Sequence, residues 1–192
     1  MPRSDVTQIH PTSRAVWRAW LTANHDSAQG VRLVLGTKAS GSQPLSLDDA
    51  VEEAICFGWI DSKLIPLDDH RSSLLFTPRR RGGTWSQANK DRAESLLARG
   101  LMTDAGLSAV TAAQQDGSWS ALDDVDELRI PEDLARALAD NPEAHRNFDR
   151  FTASAQKATL WWVKSAKRSE TRAQRIAESV RLAADNKTVL QR

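Results

Sequence analysis

With 192 residues, a formal net charge of +1 and 40% hydrophobic content, the chain can build a core as one large domain or two small ones. The lone cysteine, Cys56, excludes an internal disulfide. No apolar run approaches a membrane span and the N-terminal MPRSDVTQIHP has no apolar h-region, so a cytoplasmic protein is expected.

Charge is unevenly spread. Residues 1–99 carry +2, residues 100–155 carry −7 and residues 156–192 carry +6. An acidic middle followed by a basic end favours pairing within the chain over a basic face offered to an anionic partner. Aromatic residues are few, but seven of the eleven are Trp, whose large side chains dominate local packing. Cys56 lies in the apolar run Ala54-Ile55-Cys56-Phe57 and reads as a small buried hydrophobe rather than a reactive thiol.

Val16, Trp17, Trp20 and Leu21 make one apolar stripe and predict a helix over 12–24, capped by Thr12 or Ser13. Val31 to Thr37 reads as a strand, followed by a turn-rich loop over 38–44. Ser46, with Asp48 and Asp49 behind it, opens a helix running to about Phe57. Leu47, Ala50, Val51, Ala54 and Ile55 face inward on that helix, and Gly58 ends it. Residues 59–67 and 71–77 read as antiparallel strands joined at Asp68-Asp69-His70, with Pro78 at the end.

From Ser86 onward only helices are predicted: 86–99, 103–115, one opened by Pro131, one by Pro142, then 155–167 and 170–185. The expected fold class is α+β, with a small antiparallel sheet and helices in the N-terminal half and a helical C-terminal half. The Arg79-Arg80-Arg81-Gly82-Gly83 loop separates an α+β region over 1–83 from a helical region over 84–192, within one compact unit. Asp123 to Leu128 is a second, shorter joint.

His10, His25, His70 and His145 are scattered at long spacing, so neither a metal nor a cofactor is expected. The glycines fit no Walker or dinucleotide spacing, although Gly82-Gly83, behind three arginines, can bend backbone amides toward an anion. No serine elbow is present. Asp68 and Asp69 read as turn residues rather than an acid/base pair.

The stretch from Ala54 to Lys90 is the most informative, because it mixes charged side chains with Trp59 and Trp85. On a strand over 59–63, Trp59, Asp61 and Lys63 share one face. They make either a surface ion pair beside a half-buried Trp or a charged pair in a cleft. Arg79, Arg80 and Arg81 form either a solvated loop or an anion clamp. The clamp would gain from Trp85 stacking, from Asn89 and Lys90, and from the helix start at 86. Lys164, Arg168, Arg172 and Arg175 form a basic ridge, read as a solvated helix face ahead of a nucleic-acid surface. The expected partners are a small anionic ligand or a peptide or protein.

The segments EEAICFGWIDSK, LDDHR, PRR, TWSQANKDRAE, LMTDAGLSAV, DGSW-ALDDV, IPEDLARAL and AKRSETRAQRIAE, in this order, resemble the YdeI/OmdA family of bacteriocin-protection, YdeI or OmpD-associated proteins. The resemblance runs from Trp17 to Asn186. It implies a bacterial stress-tolerance role linked to resistance against bacteriocins or cationic antimicrobial peptides, an α+β front and a helical rear. It supplies no catalytic mechanism. Its family-defining positions here are Gly58, Trp59, Ile60, Asp61, Lys63, Pro78, Arg79, Trp85, Ser86, Asn89 and Lys90. The chain departs from the family pattern at Arg81-Gly82-Gly83-Thr84. Three readings stay open: a non-enzymatic binding protein using a Trp/Arg/Lys surface, an enzyme using Asp61 and Lys63 between Trp59 and Trp85, and a nucleic-acid-binding protein using the basic C-terminal helices.

Overall fold

The computed structural model describes residues 6–36 and 45–191. Thr37 and the turn-rich segment 38–44 lie outside the described residues. Contacts divide the chain into two compact units, Met1–Ser120 and Ala121–Arg192.

The first unit is α+β. Its elements are β1 (Gln8–Ile9), α1 (Arg14–Asn24), β2 (Val31–Gly36), α2 (Leu47–Cys56), β3 (Trp59–Asp61), β4 (Ile65–Asp68), β5 (Arg71–Pro78), α3 (Gln87–Ala98) and α4 (Asp104–Gln115). Ser13 caps α1 by accepting from the Val16 N–H, and Ser46 caps α2 by accepting from Asp49. Trp17 and Leu21 are fully buried, whereas Val16, about 100° round the helix from Trp17, is 49% exposed. Leu47, in the first turn of α2, is also exposed. The Trp17 indole N–H donates to the Ala50 carbonyl at 3.0 Å and joins α1 to α2.

β2 and β5 pair antiparallel from Val31 opposite Phe76 to Gly36 opposite Arg71. β1 adds to β2 in parallel, a departure from an all-antiparallel sheet. The expected strand over 59–67 is two strands, β3 and β4, which follow one another along the other side of β5. Between Asp61 and Ile65 the chain advances four residues while its partner advances three, from Phe76 to Ser73. The extra residue goes unpaired, and β4, which carries a further register shift between Pro66 and Asp68, is exposed along its whole length. Lys63 sits beyond the end of β3, exposed, and does not extend the Trp59–Asp61 face.

The helices pack on the sheet around Trp17, Trp59, Phe76 and Trp85, none more than 1% exposed. Ala93 and Leu96 of α3 and Ala113 of α4 belong to this same core cluster. The joint expected at 83/84 thus runs through the first unit, because α3 and α4 carry part of its hydrophobic contact.

The second unit is helical: α5 (Asp123–Asp126), α6 (Glu132–Ala139), α7 (Pro142–Arg150), α8 (Ala153–Lys164), α9 (Ser169–Ala184) and a 3-10 turn at Val189–Gln191. Asn141 caps α7, with Pro142 in its first turn, where a missing N–H costs nothing. Leu134, Leu138, Phe148, Leu160, Val163 and Ile176 form its core. The acidic middle and the basic end pair across this unit. Lys157 meets Asp126 at 3.0 Å, Lys164 meets Asp124 at 3.1 Å, and Arg172 meets Asp133 at 2.6 Å. Among the described residues no helix is long and apolar enough to cross a membrane.

Candidate anion-binding site

The site grows from the turn that ends α2. Gly58 adopts a φ of +72°, which side chains with a Cβ resist. A Cβ there would also lie 3.0 Å from the Ala105 carbonyl oxygen. The Gly58 carbonyl accepts the Arg79 N–H at 2.9 Å, fixing the backbone where β5 ends. α4 is hung from the same corner. The Cys56 carbonyl accepts from the Thr103 N–H at 3.1 Å and from Thr103 Oγ1 at 2.7 Å. A Cβ at Gly106 would lie only 2.2 Å from that carbonyl oxygen, so only glycine permits this approach.

Arg79 then lays its guanidinium on Trp85, with Cζ 3.5 Å from the ring centroid. Trp85 is buried against Trp119, centroids 5.0 Å apart. Nη1 of Arg79 donates to the Thr84 carbonyl at 3.4 Å. Nε and Nη2 are both buried and have no hydrogen-bond partner among the described residues. These two nitrogens form the side-on fork of a guanidinium, the edge that grips a carboxylate through two parallel hydrogen bonds. Arg172 uses the same edge on Asp133, with Nε to Oδ2 at 2.6 Å and Nη2 to Oδ1 at 2.9 Å. Arg181 does so on Glu178 at 2.8 and 2.9 Å.

Burial disfavours the Arg79 charge and pushes its pKa down to about 10, with the nearby Asp61 carboxylate opposing the shift. Leaving buried donors of this kind unmatched costs roughly 1–3 kcal/mol each, and more when they are charged. Native structures hold few such groups, and those they hold call for an explanation.

Arg79 and Trp85 line a pocket of about 90 Å³. Its other walls are the Arg80–Gly83 loop, Ala109, Ala112 and Ala113 of α4, and Asp116 with Ser118. Asp116 accepts from the Gly82 N–H and the Ser118 N–H, each at 3.0 Å. Contacts with Ser118, then the Gly82 N–H and the Arg81 charge, hold its carboxyl below the usual range. The buried Ser118 Oγ makes no hydrogen bond of good geometry, although it lies near enough to Asp116 to contribute to that shift.

The residues singled out in the sequence separate here. Arg79 and Trp85 are in contact, with Arg80 exposed on the pocket's rim. Trp59 is in the core: it is 1% exposed, its indole N–H donates to the His25 carbonyl, and Trp20 packs edge-on to it. Asp61 is half-buried and close enough to act on the Arg79 charge. Lys63 is exposed beyond β3. Lys90 lies on the buried face of α3 at 5% exposure. Asn89 accepts from Arg92 at 3.4 Å, and its backbone N–H is spent on the Ser86 cap. The Gly82 and Gly83 amides, which the sequence left able to bend toward an anion, are committed to Asp116 and to the Arg80 carbonyl.

Sequence reasoning passed over Asp116, Ser118 and the alanine face of α4. The signal was available in DGSW, where Asp116, Ser118 and Trp119 stand together, but it served only to mark the resemblance. On the basic ridge, Lys164 and Arg172 are in ion pairs, and Arg175 donates to the Trp162 carbonyl at 2.6 Å.

Residues 9–109, more than half of the chain, match the family model described as a domain of unknown function, DUF8412. The chain belongs to the DUF8412 family. Residues 127–186 match a second family model, OmdA, described as Bacteriocin-protection, YdeI or OmpD-Associated. The DUF8412 match covers β5, Arg79 and Trp85, and the OmdA match falls on the helical unit. No curated protein and no solved structure matches this DUF8412 chain.

Proposed function

We propose that this protein binds a small oxyanion through Arg79 in the Trp85 pocket, as part of a bacterial stress-tolerance role linked to bacteriocin or cationic-peptide resistance. One observation carries the reading: a buried guanidinium, stacked on an indole, whose side-on fork has no partner among the described residues. Trp85 shields one face of the cation and fixes its plane, and because Nε and Nη2 are closed to solvent, an anion reaches that edge only as the side chains over it move aside. Arg80 and Arg81 at the rim add attraction for an incoming anion. The OmdA match supports the physiological half of the reading.

The enzymatic alternative loses ground. It needs Asp61 and Lys63 between two Trp walls, yet Trp59 is a core residue and Lys63 lies beyond the strand. The nucleic-acid alternative loses ground too, since Lys164 and Arg172 are neutralised within the chain. The test is titration with sodium acetate, phosphate and sulfate, followed by tryptophan fluorescence and calorimetry, on the native protein and on Arg79→Ala. Saturable binding by the native chain and a loss of at least tenfold in the variant are expected. Equal response in both proteins would remove Arg79 from the site.

A further inference from the structure

The pocket is not equally suited to all anions. It lies against the last turns of α4, with Asp116 as the helix C-cap. The carbonyl end of a helix carries partial negative charge and disfavours an anion. Asp116 adds a full negative charge, held ionised by Ser118 and the Gly82 amide. Asp61 adds another beside Arg79. The loop amides that would embrace a phosphate are already occupied, Gly82 by Asp116 and Gly83 by the Arg80 carbonyl. Against this stand one buried fork and two exposed arginines. A dianion would be left under-neutralised, whereas a monoanion with two coplanar oxygens matches the fork. Ala109, Ala112, Ala113 and the Trp85 ring make the apolar part of the remaining wall, with the Ser118 hydroxyl as its polar part, and about 90 Å³ is left.

Resting on the oxyanion reading of Arg79, we propose that the ligand is a carboxylate carrying a small aliphatic substituent: the carboxylate in the Arg79 fork, the substituent against the α4 alanines. The same chemistry is found in a free short-chain acid and in the C-terminal residue of a peptide ending in alanine.

The test is calorimetric titration of the full-length protein at constant ionic strength with propionate, phosphate, alanyl-alanine and alanyl-alanine amide. Two variants accompany it. Arg79→Lys keeps the charge and loses the fork. Ala112→Leu fills the alanine face at a half-buried position, and circular dichroism checks that both are folded. Propionate binding at least tenfold tighter than phosphate is expected, weakened tenfold or more by Arg79→Lys. Ala112→Leu is expected to weaken propionate tenfold or more, and propionate bound as tightly as by the native chain would remove the alanine face from the site. Tight binding of alanyl-alanine but not its amide points to a peptide terminus; binding of propionate alone points to a free acid. Phosphate binding as tightly as propionate, with both lost in Arg79→Lys, overturns the carboxylate inference and leaves the oxyanion reading standing. No binding of any probe overturns both.

Discussion

The guanidinium carbon of Arg79 sits 3.5 Å from the centre of the Trp85 ring, closer than Arg18 to Phe57 at 5.4 Å or Arg175 to Trp162 at 5.5 Å. A cation held this tightly over an indole gains attraction from the ring but gives up hydration, and burial dominates its pKa.

Burial lowers the Arg79 pKa to about 10, so anion affinity should fall as pH rises through that value. Stability moves the other way. Above that pH the unfolded chain still holds the proton that the folded chain has released, so this group's contribution to folding rises with pH. Calorimetric affinities and melting temperatures between pH 8 and about 11 check both signs.

Trp59→Phe separates core from site. It removes the hydrogen bond to the His25 carbonyl and part of a buried ring, and should cost about 1–3 kcal/mol. Anion affinity should stay within a factor of two, since Trp59 is a core residue and does not line the pocket. Denaturant melts and one titration settle the matter.

Gly106→Ala places a carbon against the Cys56 carbonyl, at 2.2 Å in the native geometry. Both groups are main-chain anchored, so α4 or the end of α2 must shift, at about 1–3 kcal/mol. Because Ala109, Ala112 and Ala113 move with α4, anion affinity should fall as well. Chemical denaturation and calorimetry measure the two losses.

Glu53→Gln tests the α1–α2 contact. Glu53 is 3% exposed and accepts from Arg14 at 2.6 Å and from Arg18 at 2.7 Å. The two arginines are about a third exposed, so losing the carboxylate charge should cost about 2–3 kcal/mol rather than the full buried-pair penalty. The expected readout is a lower denaturation midpoint with an unchanged slope.

In the second unit, Arg172 holds Asp133 below the ordinary carboxylate range. A depressed folded pKa stabilises above the unfolded value, near 3.9, and that contribution disappears as pH falls through the folded value. Arg172→Ala should therefore melt lower than the native chain at pH 6, with the difference shrinking as pH drops below about 4. A difference that holds constant into acid would contradict the assignment.

Much of this was legible in the sequence because local rules sufficed. Ser13, Ser46, Thr103 and Asn141 cap helices, and Gly58, Gly100 and Gly117 follow helix ends with positive φ. The Arg79–Trp85 partnership was readable because six residues separate them across one loop. What escaped depends on long-range register. The break between β3 and β4 and the register shift between Pro66 and Asp68 come from pairing with β5, and no alternation pattern announces them. Trp59 looked like a wall because motif position says nothing of burial. Val16 and Leu47 looked inward because their stripes drift one position off the packed face. Glu53, on the inner face of α2, is buried only because Arg14 and Arg18 reach it from another helix.

Pro66 and the register shift between it and Asp68 together shape how the sheet meets other molecules. β4 is exposed throughout, and with Ile65 at 49% and Leu67 at 48% it would otherwise invite a foreign strand to zip alongside. A proline contributes no amide hydrogen, and a register slip breaks the even ladder such a guest would need. This flank is blunted against fibre-like growth.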